Sequence, residues 1–508
     1  MLWAIKMNML LLYVLLYSFT IEISASNIVL IIADDLDLAI GGMTPLKNTK
    51  KLVGDEGGVF LNCFVNSPIC CPNRAAILTG RYQHNHLTVN NSIEGGCSSL
   101  QWQKNQEPNS FANLIKSMAI YTTFYAGKYL NQYGSIKAGG PAHVPVGWDW
   151  WAGLVGNSKY YNYSLSLNGT VREYGDKPED YLTDVIGNLA IDFLKTRNAD
   201  DEIPFLMVLA PPAPHAPYTP APRHTDAFKG INATRTPNFN TPQQRDKHFL
   251  VKNGVAPLPD SVLPKLDEIY RRRWEALLAV DDLVENVYKT LAERKLLDDS
   301  YIIFTSDNGY HIGQFSMPFD KRLPYETDIR VPLLMRGPGV PRGNIKNPAS
   351  SVDIFATILD MAGTDAPSDG TSLLSHYLHT DRTVLIEYRG EKSEKTPTSG
   401  CPTDRDPNMV LCSKDFSCKC QDCSNNTYSC IRRVAQGDDN IFCIFEDDGV
   451  MILESNTIEA YNLRDDNFQL NNIGYTMKSA LRHRFRNRLK QAVICEGADC
   501  VMTGSQAD

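Results

Sequence analysis

A short stretch near the start of the chain combines two cysteines, a proline and an arginine: Cys70, Cys71, Pro72 and Arg74, followed by Gly80. Pro72 suits the first position of a helix and Gly80 suits its end, so the spacing predicts a short helix with Cys70 just outside its N-terminus. The free N–H groups there favour an anion, and Arg74 adds a guanidinium one turn later. These residue types could place a nucleophile beside an anion-binding site. Cys70 could equally be a disulfide cysteine in a loop.

Two pairs of oxygen ligands follow apolar runs elsewhere in the chain. Asp34 and Asp35 end the run 27–33, and Asp307 and Asn308 come just after the run 301–305. Carboxylate and amide oxygens are the ligands that Ca²⁺ or Mg²⁺ prefers, whereas Zn²⁺ would favour His or Cys. A divalent cation held there beside Cys70 would polarise a sulfate or phosphate oxygen. Each pair by itself could also be a solvated acidic turn.

Basic side chains could complete such an anion site. Arg74, Lys128 and Lys321 could neutralise the remaining charge of the anion. His215 lies in a proline-rich loop that would fix its direction, and it could donate a proton to a leaving alcohol. Three further histidines lie in predicted loops and could line a substrate pocket, although most loop histidines have no such role: His84, His86 and His311.

The elements around these residues alternate between strand and helix. Continuous apolar, β-branched runs predict buried strands at 27–33, 121–126, 205–210 and 301–305, and helical spacing predicts helices at about 180–196 and 266–294. This alternation predicts an α/β domain over residues 27–378 with a mostly parallel sheet. Ligands of such sheets bind beyond the carboxyl ends of the strands. Because the acidic pairs, Lys128 and His215 each follow a separate strand, we expect one shared site.

The second part of the chain has a different character. Short predicted strands at 383–388, 428–433, 441–445 and 450–453, and a helix at about 477–493, predict a smaller α+β domain with an antiparallel sheet over residues 379–508. Six cysteines lie within residues 401–430. In a secreted chain this pattern favours disulfides over a zinc site.

The N-terminus and the cysteine count indicate the secretory pathway. Lys6, an apolar run and small residues up to position 26 predict a cleaved signal peptide at 1–26. The chain has 13 cysteines, so twelve could pair if Cys70 is modified.

Residues 140–175 are rich in Trp, Tyr and Gly and predict surface structure. Five sequons predict N-glycosylation: Asn90, Asn162, Asn168, Asn232 and Asn425.

Net charge and hydropathy limit the partners. A net charge of −8 provides no general attraction to polyanions, which argues against nucleic acid as a partner and requires a local basic pocket for an anionic substrate. No segment after the signal is long and apolar enough to predict stable membrane insertion. A homodimer is left open.

The frame Cys70-x-Pro72-x-Arg74, followed by Leu78-Thr-Gly-Arg81, resembles the signature of the sulfatase family. This chain has Asn73 where the signature usually has serine. The resemblance implies an alkaline-phosphatase-like fold, with the large mixed sheet flanked by helices. It also implies that the formylglycine-generating enzyme oxidises Cys70 to the nucleophile formylglycine. By the same resemblance, one Ca²⁺ is bound by Asp34, Asp35, Cys70, Asp307 and Asn308, beside the catalytic residues Arg74, Lys128, His215 and Lys321.

Further segments are similar to sulfatases that act on 6-sulfated N-acetylglucosamine, among them 99–108, 127–131, 157–163, 280–284, 306–315 and 460–466. The resemblance implies a lysosomal or secreted enzyme that removes terminal 6-sulfate from heparan or keratan sulfate. One alternative is an extracellular heparan sulfate 6-O-endosulfatase, whose long basic insertion has no counterpart here. A second is a catalytically silent glycosaminoglycan-binding protein, if Asn73 blocks the modification. A third is a phosphatase or phosphodiesterase, although these normally use Ser or Thr as nucleophile.

Overall fold

A computed structural model describes residues 26–374, 381–391, 401, 409–446 and 457–504. Two large sheets organise this part of the chain, one of ten strands and one of five. The strands, numbered β1 to β19 in chain order, are Asn27–Ala33, Gly58–Phe64, Thr122–Gly127, Trp150–Leu154, Tyr163–Leu167, Thr170–Tyr174, Phe205–Ala210, Ser300–Ser306, His311–Ile312, Phe319–Asp320, Arg330–Arg336, Gly343–Ser350, Arg382–Tyr388, Met409–Val410, Asp422–Cys423, Tyr428–Ala435, Asp438–Phe445, Ile458–Asn462 and Met502–Thr503.

Helices cover both faces of the large sheet. We refer to two of them by name: the Cys70 helix, Cys70–Thr79, and the long helix, Leu263–Glu293. The other α-helices among the described residues are Lys47–Thr49, Gln83–His86, Leu100–Asn105, Phe111–Met118, Leu182–Lys195, Phe249–Lys252, Glu326–Ile329, Ser351–Met361 and Ser479–Ala492.

The large sheet is mixed and mostly parallel, in the order β12-β2-β11-β8-β1-β7-β3-β4-β5-β6. Its centre, β8-β1-β7-β3, is parallel throughout. Strand β11 runs antiparallel to both of its neighbours, and so does β5, whose partner β6 forms the far edge. The surface structure predicted for 140–175 is therefore wrong in part, because β4 to β6 extend the sheet there. The alternation of apolar residues and serine in β5 is the pattern of a half-buried strand, and the Trp, Tyr and Gly content of the segment obscured it.

The central strands are buried on both faces, as their uninterrupted apolar runs predict. Along β1, Ile28, Leu30 and Ile32 join one hydrophobic core, while Val29 and Ile31 join the other. The long helix contributes its apolar stripe to the second core. Burying each such aliphatic side chain stabilises the fold by about 1.5–3 kcal/mol, so these strands form a rigid platform.

The second sheet is antiparallel, in the order β18-β17-β16-β13-β19, and confirms the predicted C-terminal sheet. The helix Ser479–Ala492 packs on one of its faces through Phe485 and Leu489. Its other face shares a continuous hydrophobic core with the large sheet. The predicted domain boundary at 378, the predicted strand at 450–453 and residues 1–25 of the signal peptide lie outside the described residues.

Five disulfides confirm that the cysteines pair rather than bind zinc. They join Cys71 to Cys97, Cys401 to Cys418, Cys412 to Cys420, Cys430 to Cys443 and Cys495 to Cys500. The expectation that all twelve cysteines other than Cys70 pair is wrong, because Cys63 is a buried thiol on β2.

Candidate active site

The predicted site residues meet at one edge of the large sheet. Asp34 and Asp35 follow β1, Lys128 follows β3, and Asp307 and Asn308 follow β8. His215 lies five residues beyond the end of β7. Since β8, β1, β7 and β3 are adjacent and parallel, their carboxyl ends bring these groups to the same place.

A local turn lets two consecutive carboxylates face the same side. Asp35 has φ of 70°, a left-handed conformation that few non-glycine residues adopt. Its N–H donates to Oδ1 of Asp307 at 3.0 Å, and the N–H of Asp34 donates to the carbonyl of Ala213 at 3.1 Å. Hydrogen bonds from both neighbouring strand ends therefore hold the turn. Backbone strain of this kind is common at functional sites.

The Cys70 helix begins two residues earlier than the sequence predicts, so Cys70 lies inside the helix and not just outside it. Ile69 is extended and Cys70 is the first helical residue, so Pro72 lies third in the helix rather than first. A proline is tolerated there because N–H groups of the first turn have no partner within the helix. Gly80 ends the helix in the left-handed conformation, as predicted. The Cys71–Cys97 disulfide fixes the residue next to Cys70.

The thiol of Cys70 lies among charged groups. Its Sγ is 3.8 Å from Oδ1 of Asp35, and the side chain is fully buried. Burial raises the pKa of Cys70 to about 12, although Lys128 and Lys321 act in the opposite direction. An unmodified cysteine at this position is therefore a neutral thiol and a weak nucleophile at neutral pH.

Two buried lysines neutralise the acidic pair. Nζ of Lys128 lies 2.8 and 2.9 Å from the two carboxylate oxygens of Asp34, and Nζ of Lys321 lies 2.7 Å from both oxygens of Asp35. Burial alone would raise the pKa of Asp34, but the charges of Lys128, His215 and Arg74 outweigh it and hold that pKa well below its ordinary value. The site therefore keeps ionised carboxylates and ammonium groups side by side, away from water.

Arg74 connects three parts of this arrangement. Its Nε donates to Oδ2 of Asp307 at 2.7 Å, and its Nη1 donates to the carbonyl of Lys128 at 2.7 Å. Its Nη2 is buried and forms an ion pair with Oδ1 of Asp34 at 3.7 Å, but it has no hydrogen-bond partner among the described residues. Burial raises the pKa of Asp307 to about 6, although Arg74 acts to lower it. Arg74 therefore holds two neighbours in position and leaves one pair of N–H bonds for another group.

His215 faces the acidic pair from its proline-rich loop. Its Nδ1 lies 2.7 Å from the carbonyl of Ala216, so Nδ1 carries a proton and Nε2 points to the site, 3.8 Å from Oδ2 of Asp35. Burial lowers the pKa of His215, against the opposing effect of Asp35. The side chain is 23% exposed, more than the other groups of the cluster, so it lies at the opening of the site.

The donor atoms fit a hard divalent cation. One ligand atom from each of Asp34, Asp35, Cys70 and His215 lies within 4.8 Å of all the others. Oδ1 of Asn308 is buried and accepts no hydrogen bond from the described part of the chain. Leaving such an atom without a partner costs about 1–3 kcal/mol, which a bound cation would remove. Asp34, Asp35 and Asn308 offer oxygen, which suits Ca²⁺, whereas Cys70 and His215 offer sulfur and nitrogen. Asp307, a predicted ligand, is not in this group of four, and its two carboxylate oxygens accept from the N–H of Asp35 and from Nε of Arg74.

Two residues that support the acidic pair, Arg273 and Ser158, are not among those predicted from the sequence. Arg273, on the long helix, donates to the carbonyl of Asp35 at 2.7 Å and to Oδ1 of Asp37 at 3.0 Å. Ser158 donates a short hydrogen bond to Oδ2 of Asp34. The spacing contained a signal for Arg273: it occupies a position on the apolar stripe between Tyr270 and Leu277, where a charge needs a buried partner.

The histidines suggested for substrate binding have other contacts. His84 is bonded through one ring nitrogen to Glu387 and through the other to the carbonyl of Cys495, both at 2.9 Å. His86 is buried and accepts a hydrogen bond from the N–H of Thr88. The Nδ1 of His311 lies 3.0 Å from both carboxylate oxygens of Asp328. These contacts favour a structural role for His84, whose two ring nitrogens are both occupied, whereas Nε2 of His86 and of His311 is buried and has no hydrogen-bond partner among the described residues.

The glycosylation sequons differ in accessibility. Asn162, Asn168 and Asn232 are exposed, whereas Asn90 and Asn425 are half-buried. The first three therefore offer the better acceptor sites. Among the described residues, no helix combines the length and apolar character needed to cross a membrane.

Comparisons with known proteins agree with this geometry. The family model described as Sulfatase matches residues 26–364. An N-acetylglucosamine-6-sulfatase of Homo sapiens is 46% identical over 488 residues, which covers 94% of this chain and 86% of that protein. An extracellular sulfatase SULF-1 homolog of Drosophila melanogaster is 38% identical over 379 residues, covering 72% of this chain and 33% of that protein.

A solved structure shows the same fold. It is a protein in complex with its substrate D-glucosamine-2-N,6-O-disulfate, with a TM-score of 0.67 at 22% identity, covering 92% of this chain and 97% of that chain. This likeness and the ten-stranded sheet confirm the predicted architecture, a large mixed sheet flanked by helices with a smaller C-terminal antiparallel sheet.

Proposed function

Because the chain belongs to the sulfatase family, we propose that it removes the 6-O-sulfate from N-acetylglucosamine 6-sulfate units of heparan sulfate or keratan sulfate. The chain is a sulfatase, a hydrolase of sulfuric esters. The substrate is inferred from the relatives that are 45–46% identical over 93–94% of this chain, each of which is an N-acetylglucosamine-6-sulfatase.

One observation carries the proposed chemistry. Cys70 lies beside Asp35 in a buried cluster whose two carboxylates are each paired with a lysine. A sulfate ester placed between Lys128 and Lys321 would bring three oxygens that share one negative charge to two ammonium groups in a site of low dielectric constant. When substrate binds, Lys128 and Lys321 would each interact with the sulfate as well as with their carboxylate partners.

Calcium and formylglycine are proposed as the two groups that complete the site. A calcium ion held by Asp34, Asp35, Asp307 and Asn308 would supply a Lewis acid for a sulfate oxygen, and formylglycine at position 70 would supply the nucleophile. Arg74 orients Asp307 through its Nε, and its remaining Nη2 could bind a negatively charged oxygen of the sulfate or of hydrated formylglycine. The converting enzyme is the proposed partner during maturation.

His215 is the proposed proton donor to the leaving alcohol. Its position at the opening of the site is where the sugar oxygen of a bound sulfate ester would lie. The hydrogen bond from Nδ1 to Ala216 fixes the ring and leaves Nε2 to exchange a proton with that oxygen. The carbonyl of His215 also accepts from the hydroxyl of Tyr160 at 2.7 Å, which anchors the loop.

A direct assay tests the proposed substrate. Purified protein is given oligosaccharides with 6-sulfated N-acetylglucosamine at the non-reducing end, matched oligosaccharides with the same unit in the interior, and a phosphate monoester. Rapid sulfate release from the terminal unit supports the proposal. Interior desulfation first would favour the endosulfatase, phosphate release alone would favour a phosphatase, and binding without release would favour a glycosaminoglycan-binding protein.

The proposed location is the secretory pathway, ending in the lysosome or outside the cell. The exposed sequons Asn162, Asn168 and Asn232 and the five disulfides support this route. We also propose that residues 1–26 are cleaved. The mature chain then consists of a catalytic domain over 27–378 and the C-terminal domain over 379–508. Glycosidase treatment of protein secreted by cultured cells should lower its apparent mass.

A further inference from the structure

The loop that carries Lys321 is held in an unusual conformation. Arg322, the next residue, has φ of 92°, a value that costs a residue with a side chain on the order of 1–3 kcal/mol. The surrounding contacts must therefore impose this conformation. Without them, the ammonium group of Lys321 would lose its fixed place beside Asp35.

Those contacts come from two directions. On one side, the N–H of Arg322 donates to the carbonyl of Pro68 at 3.1 Å, in the segment that leads to Cys70. On the other side, the carbonyl of Arg322 accepts a hydrogen bond from Nδ2 of Asn426 at 3.2 Å and another from the hydroxyl of Tyr428 at 3.0 Å. Asn426 and Tyr428 belong to the C-terminal part of the chain, more than a hundred residues away in sequence.

The guanidinium group of Arg322 is held by the same part of the chain. Nη2 donates to Glu391 at 2.8 Å, and Nε lies 3.4 Å from Oδ2 of Asp422. Asp422 is fully buried and accepts from the hydroxyl of Tyr388 at 2.7 Å and from Nδ2 of Asn426 at 3.0 Å. These groups form one connected network, in which each buried polar atom depends on the next.

We infer that Asn426, Tyr428 and Asp422 are positioning residues for catalysis, through which the C-terminal sheet holds Lys321 in place beside the sulfate. The inference rests on the proposed function, because it assigns Lys321 to sulfate binding. It gives the C-terminal domain a part in the chemistry of the first domain without contact with the substrate.

The test uses the full-length protein and two substitutions of different size. Asn426→Ala removes one donor to the carbonyl of Arg322, and Tyr428→Phe removes the other while keeping the ring. The matched control is Asn472→Ala, because the Nδ2 of Asn472, in the C-terminal part, also donates to two backbone carbonyls, that of Asp246 in the first domain and that of Ile458. All variants are first compared by thermal unfolding.

The first measurement is independent of the substrate. An amine-reactive reagent labels accessible lysines, and peptide masses give the labelling of Lys321 relative to Lys137, which is 75% exposed. We expect strong protection of Lys321 in the wild type and in Asn472→Ala, and several-fold more labelling in Asn426→Ala and Tyr428→Phe. The labelling of Lys321 does not depend on sulfatase activity, so it tests the positioning role even if the wild type releases no sulfate from any substrate. Failure of the positioning inference is therefore distinguishable from failure of the proposed function.

The second measurement is a double-mutant cycle. We expect Asn426→Ala and Tyr428→Phe to lower kcat/KM by about 10- to 100-fold, because small displacements of a catalytic group cost that much. In a Lys321→Ala background, the same substitutions should have almost no further effect. Two results would overturn the inference. One is unchanged labelling of Lys321 in folded Tyr428→Phe. The other is a double variant whose loss of activity equals the product of the losses measured for Lys321→Ala and for the second substitution alone. Since Tyr428→Phe removes a single hydroxyl, it serves as the test if Asn426→Ala does not fold.

Discussion

The side-chain amide of Asn73 donates a hydrogen bond of 2.6 Å to the backbone carbonyl of Asp307. It also donates to Oγ of Ser351 at 3.0 Å, and its Oδ1 accepts from the N–H of Asn66 at 3.0 Å. Asn73 is the residue at which this chain departs from the usual sulfatase signature. Its side chain is fully buried and supports the loop of a proposed metal ligand.

We predict that Asn73→Ala destabilises the protein and weakens metal binding. The substitution leaves buried groups of Asn66 and Asp307 without partners, so we expect the free energy of unfolding to fall by on the order of 3 kcal/mol. Because Asp307 loses its support, calcium affinity should fall by about 10- to 100-fold. Denaturant unfolding and calcium titration measure the two effects. The control is Asn62→Ala, which removes an exposed hydrogen bond from the side-chain amide to the carbonyl of Lys346. It should change neither quantity appreciably.

A second prediction concerns the covalent state of Cys70. Protein made in cells that contain the converting enzyme should yield a Cys70 peptide of the formylglycine mass, which reacts with a hydrazide. Cys63 provides the internal reference, because it is a buried thiol that an alkylating reagent should label after unfolding. Cys70→Ala should lack both the hydrazide product and sulfate release. Alkylated Cys70 in most molecules would show that Asn73 prevents conversion and would favour a binding protein.

A third prediction concerns the divalent cation. Chelation should abolish sulfate release and lower the melting temperature, and Ca²⁺ should restore both, because binding to the native state alone stabilises it. Asp307→Ala should reduce activity at least about 100-fold and should remove the calcium-dependent rise in melting temperature. The exposed Asp192→Ala is the matched control. Calcium stabilisation that persists in Asp307→Ala would remove Asp307 from the proposed ligand set.

The sequence predicted the central platform because its signals are local. The apolar run of β1 determines that the strand is buried, and its end places Asp34 and Asp35 at the sheet edge. Parallel order then brings Lys128 and His215 to the same edge, whichever helices connect the strands. Polar residues that follow buried strands were therefore enough to predict one shared site for the acidic pairs, Lys128 and His215, whereas the roles of Cys70, Arg74 and Lys321 came from the sulfatase signature.

Other features depend on contacts that no local pattern contains. The antiparallel direction of β11 and the pairing of β2 with β12 follow from packing between segments almost 300 residues apart. The conformation of Arg322 is imposed by Asn426 and Tyr428, and nothing in the sequence around Lys321 indicates it. The sequence also contains no signal for the contact between Nδ1 of His311 and Asp328, and the substrate contact suggested for His311 stays a prediction.

A fourth prediction links stability to pH through the contact between the His84 ring and Glu387. Burial acts to lower the pKa of His84, but the hydrogen bond and charge of Glu387 outweigh it and raise that pKa above its ordinary value. The folded state therefore binds the proton more tightly than the unfolded state does. The resulting stabilisation is complete below the unfolded pKa of about 6.5 and is lost as pH rises through the folded value.

His84→Gln should accordingly cost more stability in acid than in base. We expect the free energy of unfolding to fall by on the order of 1–2 kcal/mol at about pH 5, with a smaller loss at about pH 8. Denaturant unfolding of both proteins at the two pH values measures the difference. Glu387→Gln is the matched control and should remove the same pH-dependent part, since it removes the carboxylate that raises the pKa of His84. A loss that grows with pH would show that His84 is neutral in the folded protein and that its contacts with Glu387 and Cys495 act only as uncharged hydrogen bonds.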